Sequence, residues 1–204
     1  DPTRILRGVN FKYRFGFDFS PKDKQLINNY LDKPDITNAS YDRIISVFKH
    51  ILSNEHKDKI FKDIIFNKYY KIINNSELDV NFDLIKKIDI KNKAEFYLKI
   101  LINNKIEKFK FKDELDIIHT FSKMEEYDIA YYFYKTKDDN AVKYQKLKEI
   151  KLLINGNDLI ELGFEQGKKI GEILNKLLLY KLKNPNKHTD KEFELNFAIK
   201  NKNI

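Results

Sequence analysis

The chain has no cysteine and no tryptophan, a single methionine, four prolines and six glycines in 204 residues. Without cysteine there is no disulfide framework, no thiolate metal site and no cysteine nucleophile, which fits an intracellular protein. No apolar run approaches the roughly 20 residues that cross a bilayer, and the first residues carry no signal-peptide pattern. These absences lead us to expect a soluble, cytoplasmic protein with no membrane partner.

Several chemistries are missing as well. Asp-x-Asp beside a Gly-Ser turn, with which polymerising nucleotidyltransferases hold Mg²⁺ and a triphosphate, does not occur. The nearest acidic groups are Asp113-Glu114 with Asp116, Glu125-Glu126 and Asp138-Asp139. They read as solvated positions on charged helical faces. His50, His56, His119 and His188 are scattered and none precedes an aspartate, so no metal ligand set is expected. No Gly-x-Ser-x-Gly turn is present to activate a serine. No catalytic residue, metal site or bound cofactor is expected in this chain.

Enough apolar material remains to fold: 42% of residues are hydrophobic and 14% aromatic, all of the latter Phe or Tyr. The formal charge is +8, from 39 Lys and Arg against 31 Asp and Glu. That balance favours a polyanionic partner. Abundant Lys, Asn and Ile are also what an AT-rich genome produces without selection for nucleic acid.

Apolar residues recur at three- and four-residue spacing over 41–52, 94–103 and 142–153, and strict alternation is scarce. The spacing predicts an all-α fold, an elongated multi-helix array joined by short polar loops. Punctuation divides it into three parts. Residues 1–67 hold Pro21 and Pro34, with Ser20 a natural cap before Pro21; 68–150 contain neither Gly nor Pro; 151–204 gather Gly156, Gly163, Gly167 and Gly171.

Three segments carry a family resemblance. The opening, Asp1-Pro2-Thr3-Arg4-Ile5-Leu6-Arg7-Gly8-Val9-Asn10-Phe11-Lys12-Tyr13-Arg14-Phe15-Gly16-Phe17, resembles the neck of bacterial CCA-adding enzymes, the tRNA nucleotidyltransferases of the poly(A) polymerase family. There the pattern is Glu-Asp-Pro-x-Arg-x-x-Arg-Ala-x-Arg-Phe-Ala-x-Arg-x-Gly-Phe. The leading Glu would fall before residue 1, and Asn10 replaces the third Arg. Gly156-x-Asp158-Leu159, Gly163, Gly167, Ile170-Gly171 and Leu174 match every named position of the same family's C-terminal signature. Between them a second match runs from Ile36 to Leu52, where Ser40-Tyr41-Asp42-Arg43-Ile44 and Lys49-His50-Ile51-Leu52 resemble the family's Ser-x-Glu-Arg-Ile-x-x-Glu-Leu-x-Lys-Ile-Leu, although Asp42 replaces the first Glu and Val47 the second, which would have met Arg43.

The resemblance implies a neck at 1–67 with nucleotide-template and RNA-binding helices, a helical body at 68–150 and a glycine-rich tRNA-binding tail at 151–204. It implies that Asp1 and Arg4 form an amino-acid template for CTP or ATP, the carboxylate accepting from a base's amino group while the guanidinium donates to the adjacent ring acceptor. Arg7 would order that pocket or meet the phosphates. Asp1 as a plain helix cap, with the arginines paired to neighbouring carboxylates, is the competing reading. Arg14 and Arg43 are candidate RNA contacts, Arg43 alternatively a brace for the template helix. In the tail, Gly163 would end one helix left-handed, Gly167 would turn tightly into the next, Lys168 and Lys169 would meet RNA phosphate, and Gly171 would permit close helix packing.

The expected partners are tRNA, CTP and ATP, together with an N-terminal head domain of the same polypeptide. That head would carry the Mg²⁺ that acts with CTP and ATP in the complete enzyme, so the segment alone would be inactive. A non-catalytic basic helical RNA-binding or scaffold protein is the alternative. The tyrosine groups Tyr69-Tyr70 and Tyr131-Tyr132-Phe133-Tyr134 read as core.

Overall fold

In a computed structural model, which describes residues 1–35, 39–187 and 189–202, the chain is all-α. The opening of the second family-like segment at Ile36 and the fourth histidine, His188, lie outside the described residues. Among the described residues there are twelve α-helices, one 3₁₀ turn and no strand. Two compact units form, one from 1–106 with 126–135 and the other from 107–125 with the described part of 136–204.

The first unit is built on α1 (Pro2–Phe15), α2 (Pro21–Asp32), α3 (Tyr41–Leu52), α4 (Lys57–Phe66), a 3₁₀ turn (Tyr69–Ile72), α5 (Phe82–Lys87), α6 (Lys93–Ile102) and most of α8 (Glu126–Thr136), which follows α7 (Glu114–Phe121) of the second unit. Leu6 and Val9 of α1 bury against Ile44, Phe48 and Ile51 of α3, and α3 packs in turn on α4 and α6. These are the i, i+3 and i+4 positions anticipated from the spacing. Ser20 caps α2, its hydroxyl accepting from the Asp23 amide at 3.1 Å. Tyr69, Tyr70, Tyr131, Tyr132 and Tyr134 are buried. Burial pushes the Tyr131 phenol up to about 12, and its hydroxyl donates to the Asn104 carbonyl at 2.8 Å.

The close-packing glycine in this unit is Gly8. A Cβ there would come within 2.7 Å of the Phe19 ring, which folds back over the α1 backbone.

The second unit contains α7, α9 (Asp139–Leu147), α10 (Gly156–Glu161), α11 (Lys168–Lys183) and α12 (Lys191–Lys200). Leu159, Ile170, Ile173, Leu177 and Ala198 join Ile154 and Phe164 in its tail core. Three expectations are corrected here. The periodic run 142–153 is helical only to Leu147, because the Leu153 and Ile154 amides are taken by the Glu194 carboxylate at 2.7 and 3.1 Å. Residues 103–113 form neither a short nor a polar loop, since Phe109 and Phe111 pack on Phe121. Asp138 is buried, not solvated, because it caps α9 by accepting from the Asn140 amide at 3.1 Å.

The charged terminal segment folds as α12, with Glu194 fully buried. Lys181 of α11 pairs with Glu194 and also donates to the Lys151 carbonyl at 2.8 Å. This buried carboxylate accepts from three donors, two on Oε2 and one on Oε1, so both oxygens are engaged.

Candidate nucleotide and RNA interface

Two surfaces gather the residues singled out from the sequence, one in each unit. In the first unit the site grows from the start of α1. Pro2 occupies the first turn, where its missing N–H costs nothing, and Asp1 caps the helix. Asp1 Oδ1 accepts from the Thr3 amide at 2.9 Å and from the Thr3 hydroxyl at 2.7 Å. Asp1 Oδ2 lies 3.9 Å from Arg7 Nη2 and 3.9 Å from Arg43 Nη2. Arg7 also donates to the Thr3 carbonyl and hydroxyl, both at 3.3 Å. One carboxylate therefore joins α1 to α3 through two guanidiniums, each more than half exposed at its side chain.

Capping and pairing thus occur together at Asp1. Arg4, one turn into α1, is exposed, and among the described residues its side chain has no hydrogen bond or ion pair. Its side chain does not meet Asp1; only its amide does, donating to the Asp1 carbonyl at 3.1 Å. Arg43 has the bracing position that its alternative reading assigned it, in place of the local pair that Val47 removes. Arg14, further along α1, stacks over the Phe15 ring at 5.1 Å. Phe11, Phe15 and Phe17 are all exposed and follow one another with ring centroids 5.7 and 6.0 Å apart.

Lys12 points elsewhere and is tied to Asp63 at 3.1 Å. Partial burial works to lower its pKa, but the hydrogen bond and charge of Asp63 outweigh it, so the ammonium is raised.

Composition carries a signal that motif reading missed. The chain has 35 lysines and only four arginines, and those four are Arg4, Arg7, Arg14 and Arg43. Helix α1 has no acidic residue between 2 and 15. In a lysine-dominated chain, arginine persists where a planar, five-donor fork is needed in place of a point charge. Thr3, fully buried and central to the hydrogen-bond network, was also missed, because its position in the family pattern is unspecified.

In the second unit α10 ends at Gly163 in the left-handed region, φ 79°, a conformation that favours glycine. Gly167 caps α11 in extended backbone, φ 160°, with open space where a Cβ would stand. The tight turn expected at Gly167 is therefore a demand of Gly163 alone. Gly171 likewise faces open space, so it does not mediate close helix packing. The α11 N-terminus has neither a side-chain cap nor an acid in its first turn.

Lys168 is almost fully exposed and reaches only Glu172, at 3.7 Å. Lys169 is exposed. Lys202 donates to the Gly163 carbonyl at 3.0 Å and lies 4.7 Å over the Phe164 ring. Residues 163–169 and Lys202 enclose an open hollow of about 430 Å³. Three lysines and unpaired helix amides give it the chemistry of an anion site with no fixed geometry. The hairpin below is held by the Asp158–Lys191 pair at 2.7 Å, and the Lys191 hydrogen bond draws the Asp158 carboxyl below its ordinary range.

Among the described residues no three His, Asp or Glu side chains converge as a metal ligand set. Among the described residues no helix is long and apolar enough to cross a membrane.

No family model matches the sequence, and no curated protein matches it either. In fold, the chain is similar to a solved structure of a CCA-adding enzyme in complex with CTP, with a TM-score of 0.58 and 17% identity. The match covers 98% of this chain and 59% of that one, so the chain spans about three-fifths of the enzyme chain it resembles. At this identity the likeness establishes the fold, an all-helical part of such an enzyme.

Proposed function

We propose that this chain is the tRNA-binding and nucleotide-selecting portion of a tRNA nucleotidyltransferase that adds all or part of CCA with CTP and ATP. The observation that carries the reading is the corner at Asp1, Arg7 and Arg43 beside the unpaired Arg4, on a fold like that of part of a CCA-adding enzyme. Asp1 Oδ2 keeps accepting capacity, and Arg4 offers free donors. Cytosine and adenine place an amino donor next to a ring acceptor and satisfy both groups. Uracil sets a carbonyl against the carboxylate.

Arg7 and Arg43 flank Asp1 and leave their outer donors for phosphate. The exposed ladder of Phe11, Phe15 and Phe17 beside Arg14 suits an unpaired RNA strand, whose bases stack on aromatic faces while guanidinium meets backbone. The tail hollow with Lys168, Lys169 and Lys202 would grip RNA phosphate without reading sequence. The phosphoryl chemistry, with its Mg²⁺, would belong to other parts of the complete enzyme, and this chain alone would not polymerise.

Calorimetric titration of the chain with CTP, ATP and UTP tests the reading. CTP and ATP binding in preference to UTP, lost in Arg4→Ala with an unchanged circular dichroism melt, is expected. Equal affinity for all three would instead favour a basic helical RNA-binding or scaffold protein.

A further inference from the structure

We infer that Thr3 is a positioning residue that sets the orientation of the Asp1 and Arg7 side chains and so the discrimination between amino and keto bases. This rests on the reading proposed above. A hydroxyl in a fully buried position gains nothing unless it is hydrogen-bonded. That of Thr3 donates to Asp1 Oδ1 at 2.7 Å and accepts from Arg7 Nη2 at 3.3 Å, a relay between the acid and the arginine. The backbone of the same residue repeats the connection, with its amide on Oδ1 at 2.9 Å and its carbonyl receiving Arg7 Nε at 3.3 Å.

The consequence is an asymmetric carboxylate. Oδ1 is committed to two donors from Thr3. Oδ2 stands 3.9 Å from each of its two guanidiniums, beyond hydrogen-bond range, and so retains room for a donor from a ligand. With the hydroxyl in place two donors on one oxygen hold the plane of the carboxylate and aim the lone pairs of the other at a ligand. Without the hydroxyl, one amide contact remains, Arg7 loses its Nη2 acceptor, and the plane is free to rotate. A base-reading pair depends on such fixed geometry more than on the presence of its two charges.

Two variants separate positioning from packing. Thr3→Val keeps the buried shape and removes the hydroxyl; Thr3→Ser keeps the hydroxyl and gives up a methyl group. Arginine side-chain ¹⁵N NMR reads the relay without any ligand. Faster exchange and rotation at Arg7 in Thr3→Val, with Arg7 restored in Thr3→Ser, is the expected result.

Titration with CTP and UTP reads the consequence. The CTP preference should fall roughly tenfold in Thr3→Val, the scale of one charge-assisted hydrogen bond, and stay within about twofold in Thr3→Ser. An unchanged Arg7 signal in Thr3→Val would overturn the inference, as would equal loss in both variants. If the unaltered chain does not distinguish CTP from UTP, the proposed function fails and the selectivity claim with it, while the Arg7 signals still decide whether Thr3 positions the pair.

Discussion

The two candidate surfaces hold their cations in opposite ways. At the start of α1 the cations are arginines: Arg7 and Arg43 lie against Asp1 across two helices and Arg7 also meets Thr3, while among the described residues the Arg4 side chain has no partner. Around the α11 N-terminus they are lysines, and the Lys168 side chain is 93% exposed with only a distant Glu172 for company. A fixed carboxylate can read the edge of a base, because a base that turns a carbonyl toward it leaves both groups unsatisfied. Loose ammonium groups can follow a phosphate chain, which offers the same charge at every step. On the proposed function the first surface selects and the second grips.

The largest effect that would break this comparison lies beneath the tail surface, not on it. Glu194→Ala leaves Lys181 without its carboxylate and two loop amides without an acceptor. A loss of about 3–5 kcal/mol is expected from breaking a buried pair on one side only. Urea unfolding measures it. The double change Lys181→Met with Glu194→Leu should recover only the part due to the stranded ammonium, since the two loop amides still lack an acceptor. Loss of RNA binding in Glu194→Ala with nucleotide selection intact would sharpen the division between the surfaces.

A smaller effect belongs to the lysines. Lys168→Ala with Lys169→Ala should weaken tRNA binding and reduce the slope of log affinity against log salt by about 1–2, one for each phosphate contact removed. An unchanged slope would take these residues out of the interface.

The smallest contrast separates two glycines of the same loop. Gly163→Ala forces a side chain into φ 79° and should cost about 1 kcal/mol, read as a lower melting temperature. Gly167→Ala, in extended backbone with open space around it, should leave the melt nearly unchanged. Equal destabilisation by the two would mean that the loop is tighter than its backbone geometry requires.

Much of this was legible from residue order. Periodicity and the scarcity of Gly and Pro sufficed for an all-α chain, and α3 runs over the 41–52 span that the spacing marked out. Ser20 before Pro21 identified a cap because the signal is local. Signals that depend on distant partners were not legible. Periodicity continued past Leu147, yet an acceptor forty residues away, Glu194, draws the strap at 153–154 out of the helix.

Gly163 takes the left-handed backbone expected of it, whereas Gly167 and Gly171 looked like necessities until φ and neighbours showed open space at both and put the close approach at Gly8. The arginines of the candidate site were legible as a motif, whereas Thr3 was not. A threonine at an unspecified motif position announces nothing until its hydroxyl is seen between Asp1 and Arg7. The four-arginine count was in the composition throughout, and it becomes informative once Arg4, Arg7, Arg14 and Arg43 are found on neighbouring helices.

The division of labour is tested most directly by a crossed measurement on Arg4→Ala and Lys168→Ala/Lys169→Ala, each titrated with CTP and with tRNA at two salt concentrations. The account predicts that the first variant loses CTP preference over UTP while keeping most of its tRNA affinity, and that the second loses tRNA affinity and salt slope while keeping CTP preference. Parallel losses of both ligands in both variants would contradict it.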